Sequence, residues 1–310
     1  MYKIGIVILN YITWQETNNC IESIQKSIGD SNVQIYVVDN ASPNFEKSEF
    51  LCSGENIHFI ANKENTGYAA GNNVGIAKAL EDDCEYILIS NNDILFEKDS
   101  ILGMQQYLET HSEYGIVAPC VLDKKKEIQH CHFIKRVEYK DIWATQTVIR
   151  YLYKKAIDKV CGNCDLYRSE CDIFAACGCC FMMSAECAKK VTPLDEKTFL
   201  YEEENILGIR MEQKGIKTRY IPYSKVIHNH DQTTKLVKPF ALICWACSEV
   251  YYLSEYLCVK KWKIALLYGY RTLIFLIHGI KNAEYRKQWK DYKEKTKRFI
   301  WEFCINAQEM

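Results

Sequence analysis

The sequence predicts an α/β fold: an open, mostly parallel sheet flanked by helices, followed by a helical C-terminal extension. Three observations carry this reading. Apolar runs at residues 4–9 (IGIVIL), 33–38 and 86–90 suit strands covered on both faces. Segments of helical period lie between them, as parallel βαβ units require. Three of the strands close on short polar residues: Asn10, Asp39-Asn40, and Asn91-Asn92-Asp93. In an open α/β sheet, ligands bind in the crevice at the carboxyl ends of the strands, so these side chains are expected to share one site.

Each element has its own signal. Residues 13–27 place Trp14, Cys20, Ile21, Ile24 and Ile28 on one helical face. Residues 57–61 form a third strand, and a glycine- and asparagine-rich turn at 65–71 leads into a helix through Leu80. The stretch 86–93, YILISNND, is a strand that stops abruptly on oxygen-bearing side chains. Taken alone, that ending reads first as a turn capping the next helix, and the other polar strand ends reverse that reading. A helix over 98–110 and a strand over 116–121 follow. Residues 123–171 are charged, tyrosine-rich and weakly periodic, and read as an insertion. The run FAACGCCFMMS at 174–184 is small and apolar, which permits close backbone approach. Glu202, Glu203 and Glu204 open a helix that ends at Gly215, where their charge also suits the helix dipole. Short strands at 217–220 and 226–227 lead to His228 and His230, the latter expected to be a hydrogen-bonded structural histidine.

Composition narrows the function classes. The chain has 310 residues, 48% of them hydrophobic, and a net charge of −1, so no global field for nucleic acid exists. No G-x-G-x-x-G follows the first strand and no Walker-type lysine loop occurs, which argues against dinucleotide oxidoreductases and P-loop enzymes. Residues 1–10 lack the length and cleavage site of a secretory signal. The sixteen cysteines are therefore expected to stay reduced, most of them as small buried hydrophobes. Cys161, Cys164 and Cys171, with Cys177, Cys179, Cys180, His130 or His132 as a fourth ligand, sketch a zinc site. The pattern lacks a second C-x-x-C pair at finger-like spacing, and the expectation is no metal there. Residues 240–257 and 262–280 are aromatic and apolar but interrupted by Glu249, Lys263 and Arg271, which disfavours a membrane span. Residues 281–298 hold eight Lys/Arg against three Asp/Glu, a local net of +5. That segment suits either an anionic membrane surface or ordinary helical packing with a solvated charged face.

Six motifs occur in order: ILNY at 8–11, VVDNAS at 37–42, N-x-G-Y-A-A-G-N-N at 65–73, SNND at 90–93, FLYEEE at 199–204 and VIH at 226–228. On these the chain resembles the inverting, nucleotide-sugar-dependent glycosyltransferases of family 2, in the style of bacterial polysaccharide and rhamnosyltransferase-like enzymes. The resemblance covers residues 3–234. It implies a GT-A-type, Rossmann-like catalytic domain over 1–235, split into a nucleotide-binding half (1–121) and an acceptor half (122–235), with 236–310 as a helical region. It further implies that Asn10, Asp39, Asn40, Asn65, Gly67, Asn72 and Asn92 border the nucleotide. Asp93 matches the metal-binding end of the family's D-x-D motif, with Asn91 in its first position, and His228 matches a residue that completes the metal or diphosphate site. Glu204 matches the usual catalytic aspartate, one methylene longer, with Glu203 as the alternative base. The implied cofactor is Mg²⁺ or Mn²⁺. The implied partners are a UDP-, dTDP- or GDP-sugar donor and a saccharide or lipid-linked acceptor, with no nucleic acid. The implied location is cytoplasmic, with peripheral contact at the inner face of the cell membrane. The competing readings are a nucleotidyltransferase, for which residues 10–13 offer no glycine-rich basic loop, and a non-catalytic nucleotide-binding scaffold at a membrane.

Overall fold

A computed structural model describes residues 2–28, 32–43, 54–153, 155–229 and 238–305. His230 and the 235/236 boundary lie outside the described residues. The first half follows the expected alternation: β1 (Ile4–Asn10), α1 (Trp14–Ile28), β2 (Val33–Asp39), β3 (Ile57–Ala61), α2 (Gly67–Glu81), β4 (Tyr86–Asn91), β5 (Ile94–Phe96), α3 (Ser100–Thr110) and β6 (Tyr114–Leu122). After an excursion containing α4 (Tyr139–Gln146), α5 (Ala156–Cys161) and β7 (Cys171–Ile173), the chain returns through β8 (Cys180–Ser184), α6 (Ala185–Val191), α7 (Glu203–Gln213) and β9 (Lys217–His228). Four helices follow: α8 (Lys238–Tyr251), α9 (Lys261–Lys281), α10 (Ala283–Lys287) and α11 (Trp289–Ile300).

The sheet order is β3-β2-β1-β4-β8-β6-β9-β5, with β7 also on β9. Pairing is parallel from β3 to β4 and mixed beyond. The antiparallel insertion of β8 matters for function. Its first residue, Cys180, pairs with Ser90 near the end of β4, so the segment just before β8 lies at the ligand-binding edge of the sheet.

Alternate strand residues face opposite layers. Ile4, Ile6, Ile8, Ile35, Val37 and Leu88 meet Ile21 and Ile24 of α1 and Ile101 and Met104 of α3. Val7, Val38, Ile87 and Ile89 meet Ile76 and Ala79 of α2, together with α6 and α7. Helix α2 sits flush on the sheet because Gly75 has no side chain: a Cβ there would stand 2.3 Å from Val7 Cγ1.

Several elements depart from expectation for identifiable reasons. The two strands expected at 217–220 and 226–227 are one, β9, whose register against β6 slips between Ile221 and Lys225. Pro222, which lacks an N–H, sits inside that slip and breaks the pattern a reader follows in the sequence. The excursion holds short helices rather than bare loop. The first, α4, starts with a capping box in which Glu138 and Asp141 satisfy each other's backbone N–H groups.

The C-terminal helices pack on the segment between β6 and α7. Ser248 Oγ donates to Leu200 O (2.8 Å), Tyr251 Oη to Asp195 Oδ2 (2.9 Å) and Tyr252 Oη to Val137 O (2.9 Å). The basic stretch carries an apolar seam, Tyr285 and Tyr292, which packs on Phe275 of α9. Helix α9 is long and apolar enough to cross a membrane by length and composition, which the sequence reading disfavoured. In the fold it presents Ile264, Leu267, Arg271 and Phe275 inward, while Leu266, Leu273 and Ile280 are exposed. Arg271, midway along it, forms a two-pronged pair with Glu249 of α8 (2.9 and 2.6 Å), donates to both oxygens of Gln146 (3.0 Å each) and lies over Trp245. Both charged groups are buried, so neither has water as an alternative partner.

This geometry gives an expected outcome. Arg271→Ala should destabilise the chain by about 3–5 kcal/mol, because Glu249 is left buried and unpaired, whereas Arg271→Met with Glu249→Leu should lose much less. Denaturant melts of the three proteins check this; equal losses in the single and double variants would contradict it.

Candidate active site

The polar strand ends form one hydrogen-bonded edge. Asn10 closes β1 and is buried; its amide donates to Asp39 Oδ1 (2.9 Å) and Ser42 Oγ (3.3 Å). Asp39 closes β2 and also accepts from the Ser42 backbone N–H (3.0 Å) and hydroxyl (2.6 Å). Asn40 donates to Asn65 Oδ1 (2.9 Å) and Gly67 O (3.0 Å), and accepts from Asn62 Nδ2 (3.1 Å). Asn92 directs its amide N–H groups at Asn10 Oδ1, Thr13 O, Thr13 Oγ1 and Thr17 Oγ1, all within 2.8–3.1 Å. Asn72 lies deeper, fully buried in α2, with its amide on Tyr68 O (3.0 Å). Gly67 adopts φ +88° at the start of α2, and a Cβ there would stand 2.3 Å from Phe199 O. Only glycine meets both demands. Tyr68 N donates to the same carbonyl (2.9 Å), so the entry to α2 is sewn to the loop before Glu202–Glu204.

Asn91 is the last residue of β4, and Asp93 sits in the tight connection to β5. Because Ile94 pairs with His228 at the end of β9, the histidine is carried opposite the aspartate. Asp93 Oδ1 and His228 Nε2 stand 3.3 Å apart. That carboxylate oxygen is buried and accepts no hydrogen bond among the described residues. A buried, unsatisfied carboxylate oxygen beside an imidazole nitrogen at a strand terminus is a donor set that fits a divalent cation.

The carboxylates at the start of α7 are held differently. Tyr201 (φ +75°) and Glu202 (φ +69°) both take the left-handed conformation without being glycine. Such strained pairs persist only where the surroundings fix them. Glu202 points inward, accepts from Asn205 Nδ2 (2.9 Å), and is pushed up to about 8 by burial and then by the charge of Glu249. Glu203 is raised by burial and by Glu204, and its Oε2 has no hydrogen-bond partner among the described residues. Glu204 is half-buried; its Oε1 accepts from the Gly178 N–H (3.0 Å). Burial, then the charge of Cys177, pushes it up to about 7. The helix N-terminus favours ionised carboxylates, but desolvation wins in all three.

Gly178 is a junction. Its N–H holds Glu204, its carbonyl accepts from the Tyr68 hydroxyl, and the next carbonyl, Cys179 O, accepts from Asn91 N (2.8 Å). A Cβ on Gly178 would stand 2.8 Å from Glu204 Oε1. Glu204 is thus tied through two residues to the end of β4, next to the Asn92-Asp93 turn.

The structure brings Asn10, Asp39, Asn40, Asn65, Gly67 and Asn92 together at one edge, sets Asp93 against His228, and links Glu204 to that edge through Gly178. Reading the sequence missed Ser42, Thr17, Tyr68 and Gly178. The signal for Gly178 was present in the small-residue run at 174–184; the others are ordinary polar residues whose partners only the fold supplies. The C-x-x-C cysteines do not assemble: Cys164 is exposed against His130 (3.5 Å) and Cys171 lies on β7. Cys131, Cys177 and Cys179 come together instead.

Comparison with known proteins agrees with this architecture. The Glycosyl transferase family 2 model matches residues 4–191, more than half of the chain. The low-salt glycan biosynthesis hexosyltransferase Agl10 of Haloferax volcanii is 25% identical over 235 residues, covering 74% of this chain and 69% of that protein. The dTDP-rhamnosyl transferase RfbF of Shigella flexneri is 22% identical over 289 residues, 92% and 90% of the two chains. The rhamnosyltransferase WbbL of Escherichia coli K12 is 23% identical over 180 residues, 56% and 66%. These matches do not favour the nucleotidyltransferase or scaffold readings. The chain carries a GT-A fold, is a glycosyltransferase, and belongs to glycosyltransferase family 2.

Proposed function

We propose that this enzyme moves a hexosyl-type sugar from a nucleoside diphosphate to a saccharide or lipid-linked acceptor by one in-line displacement, with Glu204 as the base. The single observation supporting this most is the half-buried Glu204 carboxylate, oriented by a backbone N–H at the nucleotide edge of the sheet. Its Oε1 is fixed by Gly178, which leaves the other oxygen to take the acceptor hydroxyl's proton as that hydroxyl attacks the anomeric carbon. The nucleoside diphosphate departs on the opposite side, so the configuration inverts. Asp39, Asn10 and Asn40 border the nucleoside, and their mutual hydrogen bonds set its seat before the donor arrives. Asp93 and His228, with Asn91 beside them, would hold Mg²⁺ or Mn²⁺, whose charge neutralises the departing phosphates.

The proposed donor is a UDP-, dTDP- or GDP-sugar. The relative that this chain spans almost completely is named a dTDP-rhamnosyl transferase, which puts dTDP-deoxyhexoses first. Because the relatives' names also include glycan biosynthesis, the product is assigned to surface polysaccharide or glycan assembly. Peripheral contact with the inner face of the cell membrane would bring a lipid-linked acceptor within reach.

Glu204→Gln should lower kcat by roughly 10²–10⁴-fold while leaving the nucleotide Kd nearly unchanged. In the native enzyme the base must be ionised, so with its carboxyl pushed up to about 7, kcat/KM should fall as pH drops through about 7 and level off above it. Steady-state kinetics with isothermal titration check both; normal turnover by the variant would move the base to Glu203. Asp93→Ala should abolish the metal dependence of nucleotide binding. Titrations that are identical with and without Mn²⁺ in both proteins would contradict the metal assignment.

A further inference from the structure

Directly beside Gly178 lies a second group of side chains that the transfer reaction does not use. The Sγ atoms of Cys131, Cys177 and Cys179 all lie within 4.8 Å of one another. Their convergence is built by the backbone. Phe133 and Ala175 form an antiparallel bridge, each donating to the other (2.9 and 3.0 Å), and that register sets residue 131 opposite residue 177. The intervening His132 is fully buried and has both ring nitrogens committed: Nδ1 accepts from the Cys177 N–H (3.0 Å), which leaves Nε2–H to donate to Pro119 O (3.0 Å). It is therefore a neutral positioning residue that fixes the Cys177 backbone. Cys179 follows one residue after Gly178 and is pinned by its own carbonyl on Asn91 N (2.8 Å). The thiols thus sit on backbone anchored from three sides.

We propose that Cys131, Cys177 and Cys179 form a three-thiolate site for a thiophilic divalent cation, Zn²⁺ being the natural occupant. Zinc–sulfur bonds of about 2.3 Å put tetrahedral sulfurs roughly 3.8 Å apart, a spacing that a cluster confined within 4.8 Å reaches by small side-chain rotations. Soft sulfur ligands exclude Mg²⁺ and Mn²⁺, which select oxygen, so this site is chemically distinct from the one at Asp93. On binding, the three thiol protons leave to solvent and three thiolates face one dication. Cys131 and Cys177 are half-buried and Cys179 is buried. The ion would clamp the 177–179 segment, whose central N–H orients Glu204. Its role is structural, and its binding is measured without reference to sugar transfer.

The full chain, purified in a phosphine reductant and stripped with chelator, is titrated with Co²⁺ as a spectroscopic probe. The expected result is one equivalent bound, with a thiolate-to-cobalt charge-transfer band in the near ultraviolet that Zn²⁺ displaces. Cys131→Ser and Cys177→Ser should lose the band, while Cys164→Ser and Cys258→Ser, at exposed thiols, should keep it. A measurement on the native chain covers the case of a variant that does not fold: Zn²⁺ should protect residues 131, 177 and 179 from alkylation, as counted by peptide mass. Absence of the band at excess Co²⁺, its persistence in folded Cys177→Ser, or alkylation unaffected by Zn²⁺ would overturn the proposal.

Discussion

The hydrogen bond from the Gly178 N–H to Glu204 Oε1 joins the two halves of the site. Strand β4 delivers Asp93 to the sheet edge, and helix α7 delivers Glu204 from beyond β8; nothing in the parallel βαβ frame alone brings them together. The antiparallel β8 does. It starts against the end of β4, so residues 177–179 run along the lip, and the one residue there without a side chain lets the carboxylate approach. The same residue gives its carbonyl to Tyr68, which anchors α2 to this seam. Two adjacent residues, Gly178 and Cys179, therefore tie Glu204, helix α2 and the end of β4 together.

Around this junction the fold retains local costs. Two consecutive left-handed residues precede α7, three adjacent carboxylates have raised proton affinity, and a carboxylate oxygen at Asp93 is buried without a hydrogen-bond donor among the described residues. Each disfavours the folded state, and all lie at one edge of the sheet. The large apolar layers on both sheet faces offset them. By contrast, Asn10 bonds both Asp39 and Asn92, and Asn40 is tied to Asn65 and Gly67, so this edge of the sheet is held by its own hydrogen bonds. A hydrogen-bonded edge beside a strained loop is the division that the proposed roles of donor seat and base require.

Much of this was legible in the sequence because strands β1, β2 and β4 announce themselves twice, by branched apolar runs and by the polar residues that end them. Asp93, Asn10, Asp39 and Glu204 could be named from motif order. What could not be read was long-range pairing. Ser42 and Tyr68 lie within motifs read from the sequence and Thr17 in none, but their bonding partners are supplied only by the fold, and Pro222 hid the continuity of β9. The grouping of the cysteines was hidden for the same reason. Sequence proximity favoured Cys161 and Cys164, whereas the bridge between Phe133 and Ala175 joins Cys131 to Cys177 across 46 positions. In the C-terminal region, hydropathy resembled a surface-seeking segment because the charged faces of its helices are solvated. The buried Arg271–Glu249 pair and the Phe275–Tyr292 contact tie the same helices into one packed layer.

The most direct measurement is a crystal structure of the chain with a nucleoside diphosphate and Mn²⁺. The account predicts an anomalous manganese peak beside Asp93 with the diphosphate on it, the nucleoside along Asp39 and Asn10, and the Glu204 carboxylate facing them across a gap the width of one sugar ring. A nucleotide bound elsewhere, or side chains filling the space between Asp93 and Glu204, would contradict it.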